Sequence, residues 1–291
     1  MDDAVRWAAG VVGAPVTGVR GLRDGGSPWL LEFEGAAPMV LRPARPGDET
    51  AYRLLRTEVA VLPLLEELGI AAPRLVAADL EEHRAVLITV VPGSSAIPAA
   101  PVPERLRAMG AFAAGLHAVP FAPRPDLPRR ERPIEGVDFV TLHRAEGSTP
   151  LLDEAHALLG RLPRPEDRRL VHGDLWQGNV LWAGDTITGV IDWDCAGSGH
   201  PGVDLGSLRS DAAIAFGPEV VDEVLDGWTA AGGEQPRDTA YFDAVAAVNS
   251  PADLGYFLRA YAGQGRDLDP ATAVRNRDAF LATALERLPA P

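Results

Sequence analysis

The chain has 291 residues and a mass of 30.8 kDa, enough to bury about three quarters of its unfolded surface and more than one typical domain needs. Its 46% hydrophobic and 23% charged residues exclude the disordered class, and no uncharged apolar run reaches the ~18 residues of a membrane helix. With 41 acidic against 27 basic residues the net charge is −14, which repels phosphate backbones and argues against DNA or RNA as partners.

All 27 basic residues are Arg, so any role that usually falls to a Lys must pass to Arg or be absent. Cys195 is the only cysteine, which rules out an intramolecular disulfide. The start Met1-Asp2-Asp3 lacks the positive region and apolar run of a signal peptide, so a cytoplasmic protein is expected.

Residues 16–42 alternate apolar runs (Val16 to Leu22, Trp29 to Phe33, Met39 to Leu41) with the turn signals Asp24-Gly25-Gly26-Ser27-Pro28 and Gly35. This pattern predicts a three-stranded antiparallel meander. From Asp48 the spacing of Leu54, Leu55, Val59, Leu62, Leu65 and Leu68 predicts a helix that kinks at Pro63 and stops at Gly69. Ala85 to Val91 reads as a buried strand ending at Pro92-Gly93, and the composition changes there. Helical spacing then dominates, as in Leu106 to His117 and in the stretch that Pro218 opens and Gly232-Gly233 closes, with Pro120 to Pro133 a loop. One hairpin interrupts the helices: Val180-Leu181-Trp182 and Thr186 to Ile191 flank Ala183-Gly184-Asp185.

That hairpin carries the chemistry. An apolar run leads through His172-Gly173 into Asp174, Asn179 follows five residues later, and Asp192 ends the returning strand. A turn centred near Gly184 pairs position 179 with roughly position 189, which leaves Asp192 about 10 Å of backbone away. One amide oxygen and one carboxylate at that separation suit Mg²⁺, a hard cation that shares its shell with phosphates. Asp174 is left to face a substrate hydroxyl, the arrangement of a phosphoryl-transfer site of the kinase kind.

With Ile191-Asp192 and Pro201-Gly202-Val203-Asp204-Leu205 added, the chain resembles the aminoglycoside phosphotransferase family, which includes macrolide kinases and relatives of choline and fructosamine kinases. The resemblance covers residues 16–260 or so. It implies an α+β, bilobal, protein-kinase-like fold: residues 1–92 form a small antiparallel-sheet lobe for the nucleotide, and residues 93–291 a mainly helical lobe for catalysis and the acceptor. Asp174 would be catalytic, Asn179 and Asp192 metal ligands, and Mg²⁺ with ATP or GTP the cofactors. Gly25, Gly26 and Ser27 would cover the phosphates with backbone N–H groups. Arg42 would stand where kinases place a Lys and pair with Glu58, and Ile88, Thr89 and Val91 would form the hinge against the base. His172 is read as a buried ring holding the loop, Asp204 as a helix cap or brace for that loop. The other five histidines show no metal spacing.

The acceptor is the open question. Between Asp192 and Asp226 eight acidic residues stand against Arg209 alone, and a cleft lined by one sign of charge concentrates the other. Asp194 and Asp211 are therefore the candidate pocket carboxylates, and an amine-bearing antibiotic with a free hydroxyl the expected acceptor. A metabolite kinase of the choline, amino-sugar or fructosamine type and a catalytically silent nucleotide-binding module are the alternatives. Only nine residues separate Asp194 from Asp204, too few for a protein kinase activation segment.

Overall fold

The computed structural model describes residues 2–23, 26–45, 47–134, 136–234 and 237–289. The N-terminal region holds α1 (Asp2–Val12), β1 (Val16–Arg23), β2 (Gly26–Phe33), β3 (Ala36–Pro43), α2 (Glu49–Glu67), β4 (Leu75–Asp79) and β5 (Ala85–Thr89). Its five strands form one antiparallel sheet in the order β1-β2-β3-β5-β4. The meander and α2 lie where the periodicity puts them, and α2 runs through Pro63 from its N-cap Asp48, whose carboxylate accepts from the Ala51 N–H.

Two elements, α1 and β4, have no counterpart in the sequence reading, and both owe their place to tertiary cover. Ala4 and Ala8 of α1 pack with Leu31, Leu41 and Leu87 on one face of the sheet, while α2 sets Leu55, Val61, Leu62 and Leu65 with Val86 and Ile88 on the other. Successive side chains of a strand point to opposite faces, so a sheet covered on both sides makes β5 apolar from Ala85 to Ile88. In β4, Leu75-Val76-Ala77-Ala78-Asp79, two alanines weaken the strand signal.

The C-terminal portion is mainly helical: α3 (Pro103–His117), α4 (Phe139–Glu146), α5 (Pro150–Leu159), α6 (Gly202–Phe216), α7 (Asp222–Ala230), α8 (Thr239–Val248), α9 (Gly255–Gly263) and α10 (Pro270–Glu286). The short strands β6 (Arg129–Arg130), β7 (Arg169–Val171) and β10 (Gly197–Gly199) form a second sheet, and β8 (Val180–Ala183) pairs with β9 (Thr186–Val190) as a hairpin. The segment after β5 bonds onto that hairpin, Ser94 and Trp182 exchanging N–H to C=O bonds of 2.9 and 3.0 Å. Val190 also donates to the Ala71 carbonyl at 2.9 Å, so the hairpin is tied to the N-terminal region on both sides.

The hairpin register differs from the expected one. Val180 pairs with Val190 and a bulge lies between Leu181 and Trp182, so Asn179 faces Ile191, whose N–H donates to the Asn179 carbonyl at 2.9 Å. The turn centre falls between Gly184 and Asp185, and the bulge moves the register one residue further. Asp192 is thus one residue beyond Asn179's cross-strand partner.

Helices α3 and α7 cross at two glycines. A Cβ on Gly110 would collide with the Val224 carbonyl, and one on Gly227 with the Arg107 carbonyl. Backbone cannot yield as a side chain tip can, so Gly110→Ala should destabilise the protein by about 1–3 kcal/mol, read as a lower midpoint in denaturant. An unchanged midpoint would mean that the crossing is looser than described.

Candidate active site

Strand β7 delivers the chain to His172, Gly173 and Asp174. Gly173 has φ +82° and abuts the Cys195 carbonyl, so a Cβ fits neither the torsion nor the space. The loop hangs on α6. Asp204, fully buried, accepts from the His172 N–H and the Gly173 N–H, both at 2.8 Å, and its Oδ2 lies 3.0 Å from His117 Nε2. Burial opposes ionisation of Asp204, but the His117 hydrogen bond and the neighbouring imidazoles outweigh it and hold the carboxyl low. His172 Nε2 lies 3.0 Å from the Ile191 carbonyl, and its Nδ1 accepts from the Asp174 N–H at 3.2 Å. Burial keeps this ring's pKa down, as a neutral ring with one donor and one acceptor requires.

Asp174 is half-buried. Burial first, then the charges of Asp192 and Asp194, push its carboxyl up to about 8. Asn179 donates from Nδ2 to the Asp174 carbonyl at 2.9 Å, which leaves its Oδ1 buried and without a hydrogen-bond partner. A buried amide oxygen left unpaired is costly unless a ligand completes it. With the Asp192 carboxylate following directly after its cross-strand neighbour, that oxygen fits a hard divalent cation.

Asp192 sits in the left-handed region at φ +68° and meets two arginines. Arg23 Nη2 is 2.5 Å from its Oδ2, and Arg42 Nη2 is 2.8 Å from its Oδ1. Burial opposes its ionisation, yet the guanidiniums of Arg42 and Arg23 win and hold the carboxyl well below the usual range. Arg42 reaches further, to Glu58 Oε1 at 2.8 Å and Asp194 Oδ2 at 2.9 Å. Compensation is incomplete: burial takes Glu58 up to about 7 against Arg42, and takes Asp194 up to about 6 with the charge of Asp192 adding to it.

The structure therefore brings Asp174, Asn179, Asp192, Arg42 and Glu58 together. It treats the other candidates differently. Gly25 lies outside the described residues; Gly26 opens β2 opposite Arg23, followed by an exposed Ser27. Ile88 is in the core, and the Thr89 N–H is already donated to the Arg74 carbonyl at 3.0 Å, so of the hinge groups the Thr89 carbonyl and Val91, beyond the strand, remain for a base. Asp194 faces Arg42 and not an acceptor pocket. Asp211 is buried, its Oδ1 accepting from Tyr261 Oη at 2.5 Å and its Oδ2 from the Gln177 N–H at 3.2 Å and Nε2 at 2.8 Å. Asp222 pairs with Arg209, and Glu223 with Arg107. Asp194, Asp211, Asp222 and Glu223 are thus taken up by internal partners, while Glu219 and Asp226 are exposed, because charge counting along a chain carries no direction.

Arg23, Gln177 and Tyr256 were not singled out from the sequence. Tyr256, in α9, has its phenol pushed up to about 12 by burial and then by the charge of Asp174. The spacing of Asp204 and Asp211 on one helix was a legible signal: seven residues apart, they share a face and hold the two ends of the loop.

An antiparallel sheet followed by a helical portion, with an Asp, an Asn and a second Asp gathered between them, is a kinase-like fold. The chain matches the phosphotransferase enzyme family over residues 18–241 and belongs to that family. Viomycin phosphotransferase of Streptomyces vinaceus is 27% identical over 206 residues, 68% of this chain, and the match spans 62% of that relative's length, less than two thirds. Among solved structures, macrolide 2'-phosphotransferase from Brachybacterium faecium superposes with a TM-score of 0.62 at 21% identity, covering 100% of both chains. An aminoglycoside-3'-phosphotransferase of type VIII gives 0.58 at 26% identity over 84% of this chain and 97% of its own. No helix among the described residues is long and apolar enough to cross a membrane.

Burial raises Asp211 from 3.8 to about 6, against the bonds from Tyr261 and Gln177. A folded-state value above the unfolded one means that the native state binds the proton more tightly, so this group stabilises the fold below the unfolded value and the gain is lost as pH rises toward 6. Between those values wild type should lose stability relative to Asp211→Asn by up to about 1.4 kcal/mol per pH unit. Urea melts of the two proteins at several pH values check it; parallel curves would mean that Asp211 does not titrate there.

Proposed function

We propose that the protein is a kinase that transfers the γ-phosphate of ATP or GTP, with Mg²⁺, to a hydroxyl of a small molecule. Residues 1–92 would hold the nucleotide and residues 93–291 would carry catalysis and the acceptor. The observation that carries this reading is the unpartnered Asn179 Oδ1 beside Asp192, with Asp174 tethered to the same asparagine.

On this reading Asp174 orients the acceptor hydroxyl and takes its proton as the new O–P bond forms and the bond to the leaving diphosphate breaks. Asn179 fixes the loop that presents Asp174, and Asp204 with His172 sets the path of that loop. Arg42, held by Glu58, contacts the phosphates in the place of a Lys, and the Val91 backbone meets the base. Asn179 and Asp192 would hold Mg²⁺, which neutralises phosphate charge when bound.

The names of the relatives support an antibiotic as acceptor, with viomycin, a macrolide and an aminoglycoside the first to try. Turnover of purified protein with ATP and with GTP against these and against choline, amino sugars and fructosamines separates resistance from metabolism. No phosphorylated product with any of them would leave a nucleotide-binding module.

Asp174→Asn should keep nucleotide affinity and lose about 10²- to 10⁴-fold in turnover, the usual general-base contribution; a variant retaining a tenth of wild-type kcat removes Asp174 from the role. Asp192→Ala should abolish the tightening of ATP binding by Mg²⁺, since Asn179 alone offers a neutral oxygen. Calorimetry of ATP with and without Mg²⁺ decides this, an unchanged difference counting against Asp192 as a ligand.

A further inference from the structure

Away from the catalytic loop, α4, α5 and α8 border a cavity of about 420 Å³. Arg132, Arg144 and Arg164 line it with His143, His156 and Tyr241, and Asp153 is the one carboxylate in the wall. Such a lining stands out in a chain of net charge −14. Arg164 is paired with Glu131, but among the described residues no carboxylate lies within ion-pair distance of Arg132 or Arg144.

We propose that this cavity binds a small oxyanion, a phosphate or carboxylate group on a molecule that fits its volume, held by Arg132, Arg144 and His156. The histidine geometry prepares the third donor. His143, buried, places Nε2 at 2.7 Å from the Ser250 carbonyl, so that nitrogen donates. With neutral rings, its Nδ1 then accepts from His156 Nε2 at 3.0 Å, which leaves His156 Nδ1 with the lone pair. A proton taken up there turns His156 into a further cationic donor.

The surroundings of His156 favour that proton only when an anion is present. Burial lowers its pKa, and His143, Arg132 and Arg144 lower it further against the opposing pull of Asp153. A bound oxyanion cancels the repulsion, so binding raises the His156 pKa and tightens as pH falls. Arg164 and Tyr241, the remaining charged and titratable groups of the wall, complete the count. The backbone that follows Arg132 is tied down: Asn249 donates to the Pro133 carbonyl and the Ile134 N–H to the Gly173 carbonyl at 2.8 Å.

The test is a titration with inorganic phosphate and, separately, succinate, following the His156 ring resonance, which His156→Gln assigns. Mg²⁺ and a non-hydrolysable ATP analogue are present throughout, to occupy Arg23 and Arg42. The expected result is a saturable shift, a higher His156 midpoint in the presence of the anion, and affinity at least about tenfold weaker in Arg132→Gln/Arg144→Gln, the loss of one charge-assisted bond or more. If that double variant does not fold, Arg144→Gln alone, at an exposed position, serves. Phosphate without succinate assigns a phosphate-bearing ligand, the reverse a carboxylate, and both a general oxyanion site. No saturable shift with either, or an affinity untouched by the arginine variants, overturns the proposal.

Discussion

One guanidinium holds the site in register. Arg42 joins the sheet through β3, the helix α2 through Glu58, and the loop after β9 through Asp192 and Asp194. A Lys at this place offers a single nitrogen, whereas the two terminal nitrogens of the Arg fork divide the work, one toward Glu58 and the other toward the two aspartates. Replacing a buried ion pair by packed apolar groups is often neutral, while removing one partner costs about 3–5 kcal/mol. The cluster therefore fixes the position of α2 against the Asp192 turn more than it deepens the fold's stability. A Lys-free composition, visible in the sequence, acquires its meaning here.

The same cluster constrains any ligand. Arg23 hydrogen-bonds Asp192 Oδ2 and Arg42 pairs by charge with Oδ1, which has no hydrogen-bond partner, so a cation there competes with guanidinium groups, and a polyphosphate must draw those groups away from carboxylates. Each half alone leaves a charge unpaired in a poorly solvated place, which is expensive. Supplied together, cation and polyphosphate give each displaced guanidinium and carboxylate a new partner of opposite charge. On the kinase reading this favours the metal–nucleotide complex over either component.

How much of this was legible depends on distance along the chain. The meander, the helix from Glu49 and the hairpin arise from local periodicity, and each stood in the sequence. Asp174 and Asn179 are five residues apart and a hairpin returns Asp192 to them, so that group was legible as well, apart from a two-residue shift in register, one from the turn centre and one from a bulge. The Arg23–Asp192 pair spans 169 positions, and no local pattern encodes it. Helix α1 was missed because its buried residues are Ala4 and Ala8, a weak apolar signal until the sheet face beneath them exists. The Thr89 N–H is unavailable to a base because Arg74, the residue before the unforeseen β4, accepts it.

Asp194 and Asp211 teach a different point about charge. A run of carboxylates sets a field in solvent only if its members face solvent, and salt screens that field within about 10 Å at 0.1 M. Here Arg42, Arg107 and Arg209 neutralise members of the run, and burial lifts Asp211 toward protonation. What a ligand meets is then decided by the few groups left uncompensated at a concave surface, where the low dielectric keeps their interaction strong. By that criterion arginine marks the α4–α8 cavity, where Arg132 and Arg144 stand in the wall, whereas Arg23 and Arg42 at the catalytic loop are already paired with carboxylates. An overall charge of −14 governs long-range encounter with other macromolecules, and it leaves the local potential of that cavity free to take the opposite sign.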